Sequence, residues 1–113
     1  MTTITVGTTG RDYTLIQSAE DTLSGALSSP TVIELYPDSE FISATTFVTV
    51  SGFTTDATNN LTIKPASGNA WYEHADKDTN RIAYDKNKGV ALRLTGTYTN
   101  AIVVSIANVI IDG

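Results

Sequence analysis

DYTLIQSAEDTLSGALSSPTVIELYP, residues 12–37, sets an amphipathic pattern, a polar break and a β-branched run one after another, and that order decides the expected fold. Thr14-Leu15-Ile16-Gln17 has the form of a capping box, in which the Thr14 hydroxyl accepts from the Gln17 backbone N–H and the Gln17 side chain reaches back to Thr14. Beyond it Ile16, Ala19, Leu23 and Leu27 recur at steps of three and four, with Leu15 and Ala26 widening the stripe. Gln17, Glu20, Asp21 and Ser24 fall on the opposite side. The pattern predicts a helix over about residues 14–27, stopped by Gly25 and Ser28-Ser29-Pro30. Thr31 to Tyr36 then suit a pleated surface, and Pro37 ends the run. A lone helix with one dry face, ahead of many strands, is expected to cover the open end of a strand stack.

Working outward, residues 2–6 alternate polar and apolar as a short strand closed by Gly7 and Gly10. Residues 38–46 have turn composition, 47–50 form a strand pattern, and 61–64 form another that stops at Pro65. Residues 66–89 change character: Trp71, Tyr72 and His74 precede a charged, irregular run, so this stretch is expected to be an insertion. Strand patterns return at 90–94, 101–106 and 109–111. The triplet VIELYP, FVTVSG, NLTIKP matches VALRLTG, AIVVSIA, NVIIDG in character, and each third member opens on asparagine. The short connections lack a helical period and also lack the Asn-Gly or Asp-Gly loops of tight hairpins. A mainly β, parallel solenoid of about two coils is therefore expected over an antiparallel sandwich. Its parts would be an N-terminal strand and cap helix (1–31), a first coil (32–65), an inserted loop (66–89) and a second coil (90–113).

Composition narrows the function classes. At 113 residues the chain forms one domain, with about two-thirds of its unfolded surface buried on folding. Charged residues make up 17%, the net charge is −5, and Lys and Arg do not cluster, which argues against nucleic acid and anionic membrane as partners. With no cysteine there is neither a disulfide nor a thiolate metal site. No run is long enough to span a membrane, and residues 1–15 lack the basic start and apolar stretch of a secretion signal. Synthesis without export is expected if Met1 is the natural start, although a chain with its signal removed would read the same.

The helix DYTLIQSAEDTLSGAL followed by TVIELYPDSEF resembles the entry to right-handed parallel β-helix proteins of the pectin-lyase-like group, where a Tyr-x-x-Ile-Gln-x-Ala helix caps the first coil. NVIIDG resembles the Asn-led strand that recurs in their coils. The resemblance covers most of 11–65 and 89–113 and implies a fold, not an activity, since that scaffold serves polysaccharide lyases and hydrolases, phage tail spikes and fibres, and surface adhesins. Such a stack needs covering at both ends, and one helix serves one end. Further coils of the same chain or other subunits are expected at the C-terminal face, with homo-oligomers, trimers included, among the expected assemblies.

Candidate chemistry is thin. Glycoside cleavage needs two carboxyl groups about 5–10 Å apart; Asp38 with Glu40, Asp76 with Asp78, and Glu34 with Glu40 are the pairs near in sequence, and solvation of turns is their plainer role. Lyases of the resembled group use a basic residue, often with calcium, but Lys64, Arg81 and Arg93 match no such motif. Asp76-x-Asp78-x-Asn80 starts like a calcium loop, then places Arg81 where glycine and Asn87 where glutamate belong. His74 is the only histidine and has no triad partners, and Asn60-Leu61-Thr62 is an incidental sequon. No catalytic, metal or cofactor site is expected. Trp71, Tyr72 and His74 remain as a candidate polysaccharide contact, against the alternative that Trp71 anchors a long loop. The expectation is thus a structural or host-recognition component of a phage-like particle, located in the virion; the alternatives are the N-terminal part of an extracellular polysaccharide lyase or hydrolase, or a surface adhesin.

Overall fold

The computed structural model describes residues 1–69, 71, 90–94 and 100–112. In chain order the elements are β1 (Thr2–Val6), α1 (Ile16–Glu20), β2 (Gly25–Ala26), β3 (Thr31–Leu35), β4 (Phe41–Ser43), β5 (Val48–Val50), β6 (Phe53–Thr54), β7 (Leu61–Pro65), β8 (Leu92–Leu94), β9 (Ile102–Val104) and β10 (Val109–Ile111). The fold is mainly β with parallel sheets. One sheet has the order β1-β3-β7-β10, and β2-β6, β4-β8 and β5-β9 form three smaller ones. Every pairing among the described strands is parallel, which disposes of the antiparallel sandwich.

Register explains why these segments pack. Ile4, Ile33, Ile63 and Ile111 lie opposite one another across the four-stranded sheet, so one side-chain type repeats at the spacing of neighbouring strands. Thr2 lies beside Thr31 and Thr31 beside Leu61, intervals of 29 and 30 residues. Leu61 lies beside Val109, 48 residues on, an interval that includes 66–89. Ile33, Leu35, Leu61 and Ile63 are fully buried with Val48 and Val50 from β5. Each such side chain contributes about 1.5–3 kcal/mol by leaving water.

Four expectations need correction. The helix does not run over 14–27; it is a single short segment, Ile16–Glu20, and Gly25–Ala26 instead forms β2 beside Phe53–Thr54. Gly25 adopts φ 62, a left-handed conformation that does not fit a continuing helix, and the Leu27 N–H donates to the Thr54 carbonyl. The Thr14 capping box does not form: Leu15 is the N-cap and no side chain caps it, because the Gln17 side chain is engaged elsewhere. Residues 38–46 are not all turn, since Phe41–Ser43 is β4, whose three residues are too short to display a period of two. Finally, VIELYP and VALRLTG are not equivalent: β3 lies between β1 and β7, while β8 pairs with β4. The other two matches hold, β5 with β9 and β7 with β10.

Candidate functional site

The N-terminal end of the stack exposes the outer edges of β1, β2, β4 and β5, and the chain treats them differently. At β1 the Asp12 carboxylate accepts from the Thr5 N–H (2.9 Å) and the Thr5 hydroxyl (3.0 Å), and the Tyr13 N–H donates to the Thr5 carbonyl (3.0 Å). At β5, Gln17 Oε1 accepts from the Thr49 N–H (2.8 Å) and Gln17 Nε2 reaches the Thr49 carbonyl (3.4 Å). One turn along α1, Glu20 Oε1 accepts from the Ser51 N–H (2.9 Å). Side chains at β1 and β5, with the Tyr13 backbone at β1, thus stand in for a missing strand at Thr5, Thr49 and Ser51, satisfying backbone groups that would otherwise template association. Ile16 and Ala19, on the other face of α1, are buried in the core.

Glu20 is only 3% exposed, and burial pushes its carboxyl above the ordinary value, partly offset by the Ser51 N–H. Gln17 Nε2 also donates to Glu20 Oε2 (2.7 Å) and Asp21 Oδ1 (2.9 Å), tying the three polar side chains together. A perturbed carboxyl often marks chemistry; here its oxygens are taken by a backbone N–H and an amide, which is edge closure.

The edge of β4 carries no such closure. Phe41 lies opposite Leu92 and its N–H donates to the Ala91 carbonyl (3.0 Å). Successive residues of a parallel strand serve opposite neighbours, so the N–H and C=O of Ile42 point away from β8. Alongside lies a half-open groove of about 330 Å³ lined by Thr14–Gln17 on one side and Ser39–Ser43 on the other, with Thr8, Thr46 and Phe47 completing it. Leu15 (62% exposed) and Ile42 (54%) flank it. Among the described residues Glu40 is its only ionisable lining residue, and it is held by Arg93 Nε at 2.9 Å. This groove, which sequence reasoning missed, is a concavity bordered by unpaired backbone. A polar loop next to an exposed Leu15 was its only signal.

Among the described residues, the acids considered for catalysis have structural partners. Asp38 accepts from Arg11 Nε (3.1 Å) and Nη2 (2.9 Å) and from the Thr9 N–H (3.3 Å), while the Arg11 guanidinium stacks 3.5 Å over the Tyr36 ring. Those donors hold the Asp38 carboxyl below its usual range. Gly7 permits this closeness, since a Cβ there would collide with the Asp38 carboxylate. Glu34 accepts from the Ser67 N–H (3.4 Å), and Arg93 is committed to Glu40. Among the described residues no group of three acids or histidines is placed to hold a metal ion, and no helix is long and apolar enough to cross a membrane.

Trp71 is half-buried, packs on the core and donates from Nε1 to the Asp112 carbonyl (2.9 Å), bridging in parallel to Val90. That places it as an anchor between distant segments. Tyr72, His74, Asp76, Asp78 and Arg81 lie outside the described residues. Comparison of the chain with protein-family models, with curated proteins and with solved structures finds no match in any of the three.

Proposed function

We propose that the chain is the capped start of a right-handed parallel β-helix, resembling the pectin-lyase-like group, that serves as a structural or host-recognition component of a phage-like particle. The observation that carries this reading is the contrast between the two ends of the stack. At the N-terminal end Asp12, Gln17 and Glu20 close the edges of β1 and β5. At the other, β10 has β7 on one side and no described strand on the other, with Ile110 and Ile111 45% and 46% exposed. Edges met at β1 and β5, set against an apolar β10 edge with no such cover, suit a chain whose far face is covered by further coils or by other subunits. The right-handed sense follows the strong bias of parallel crossovers. The engagement of Asp38, Glu40, Glu34 and Glu20 in structural pairs favours a recognition role over catalysis by these residues. Trp71 would then contact polysaccharide through whatever ring surface its anchoring leaves open.

Sedimentation velocity over a wide concentration range tests the proposal. Association that strengthens with concentration and is abolished by Ile111→Lys is expected; a single monomer boundary throughout would overturn it. Release of reducing sugar from bacterial surface polysaccharides by the purified chain would favour the hydrolase reading instead.

A further inference from the structure

We propose that the Glu20 and Asp21 carboxyls make α1 a proton-operated latch on the β5 edge, closed when they share a proton and loosened, ahead of the rest of the fold, when they lose it. Hydrogen counting carries the inference. Gln17 Nε2 has two hydrogens and three acceptors in reach: Glu20 Oε2 (2.7 Å), Asp21 Oδ1 (2.9 Å) and the Thr49 carbonyl (3.4 Å). With both carboxyls ionised, the two charged oxygens take the hydrogens, and the Thr49 carbonyl, the most distant and the weaker acceptor, is left short. A proton on Glu20 supplies the third hydrogen. The Glu20 carboxyl, which also hydrogen-bonds the Asp21 side chain, then donates to that carboxylate and leaves the amide free to serve Thr49.

The surroundings oppose two charges at this place. Glu20 is 3% exposed, so its ionised form gives up hydration, and Asp21 adds a like charge beside it. The Ser51 N–H and the Gln17 amide offset this only in part, and the carboxyl stays above its usual value near 4.5. No cation answers it from the strands packed on α1, which are β1, β3 and β5. β1 and β5 carry no ionisable side chain, and the one on β3, Glu34, is an acid that accepts from the Ser67 N–H. Ile16 and Ala19 hold α1 on the core in either state, so losing the proton loosens the polar side of the cap first. The backbone groups of Thr49 and Ser51, a strand edge that the latch covers, therefore open to water more often as pH rises. The inference concerns α1 and β5 alone and is independent of the virion reading.

The test is native-state amide hydrogen exchange on the full chain, read by NMR at low urea from pH 4 to 8, with each rate divided by the intrinsic rate at that pH. Thr49 and Ser51 should open more often than Ile33 and with little urea dependence, the mark of a local motion. Their opening constant should rise by about threefold or more with pH and then level off. Glu20→Gln should abolish the rise. Asp21→Asn, at an exposed position, should shrink it by removing the like charge. Because the wild-type profile and the Asp21→Asn profile stand by themselves, the outcome does not depend on Glu20→Gln folding. Opening at Thr49 and Ser51 that matches Ile33 in frequency and urea dependence would show that the cap has no motion of its own. A flat pH profile, or one unchanged in Asp21→Asn, would remove the shared proton. Each of these results overturns the proposal.

Discussion

Gln17 meets the peptide group of Thr49 as a neighbouring strand would, its Oε1 2.8 Å from the Thr49 nitrogen and its Nε2 3.4 Å from the Thr49 oxygen. The primary amide is the one side-chain group that presents an acceptor and a donor at once in the geometry of a backbone amide. A short helix can therefore finish an open sheet edge without contributing backbone to it.

Gln17→Ala should destabilise the chain by about 1–3 kcal/mol, the range for stranding buried backbone groups. Urea denaturation followed by circular dichroism measures it. Gln17→Glu should rescue less than half, since a carboxylate accepts from the Thr49 N–H but cannot donate, and it faces Glu20 and Asp21. A neutral Gln17→Ala would mean that water replaces the amide at no cost and that α1 covers the core through Ile16 and Ala19 alone.

Glu20 makes stability depend on pH in a defined direction. Its folded carboxyl titrates above its unfolded value near 4.5, so across that window the folded chain holds more proton than the unfolded one. Its contribution is therefore most favourable below the unfolded value and declines as pH rises through the folded one, then stays level. The difference between the wild type and Glu20→Gln, measured by denaturation from pH 4 to 8, isolates this slope; a difference that grows toward acid pH in the opposite sense would contradict it.

Much of the strand content was legible and the pairing was not, for a physical reason. Thr2–Val6, Thr31–Leu35 and Leu61–Pro65 alternate or cluster β-branched side chains, which reports a half-buried pleated surface wherever it sits. Which strand lies beside which depends on intervals near 30 residues, and residues 66–89 hide that spacing on the third interval. Asn60 and Asn108 did mark equivalent corners, since they precede β7 and β10; Asn108 takes φ 53, a conformation asparagine tolerates better than most residues. Gln17 and Glu20 fall opposite the apolar stripe in sequence, where polar residues ordinarily are solvated. Their target, a backbone edge about thirty residues on, leaves no trace in helical periodicity.

Asp38 has the opposite pH signature from Glu20. Its carboxyl is held low by Arg11 and by the Thr9 N–H, so the stabilisation is present above the ordinary value of 3.8 and is lost as pH falls through the folded one. Asp38→Asn should flatten the acid limb of a pH–stability profile. Gly7→Ala should reach the same end by steric means, displacing the carboxylate from Arg11 at a cost of about 1–3 kcal/mol. If Gly7→Ala is neutral while Asp38→Asn is not, the carboxylate has room to shift and keep its cation.

Trp71→Phe separates anchoring from packing, because phenylalanine keeps an aromatic ring against the core but cannot donate to the Asp112 carbonyl. The bond joins positions 41 residues apart, so its loss should free β10 from this side before it affects β1 or β3. Hydrogen exchange should rise at residues 109–112 by about fivefold, the equivalent of one bond worth roughly 1 kcal/mol, and stay unchanged at 31–35. Exchange that rises equally in β3 would show that Trp71 supports the whole stack through its ring contacts. A polysaccharide whose binding quenches Trp71 emission in the wild type should do so only by engaging ring surface left open by that anchor. Binding that needs the indole N–H free would have to break the Asp112 bond and raise exchange in β10 at the same time.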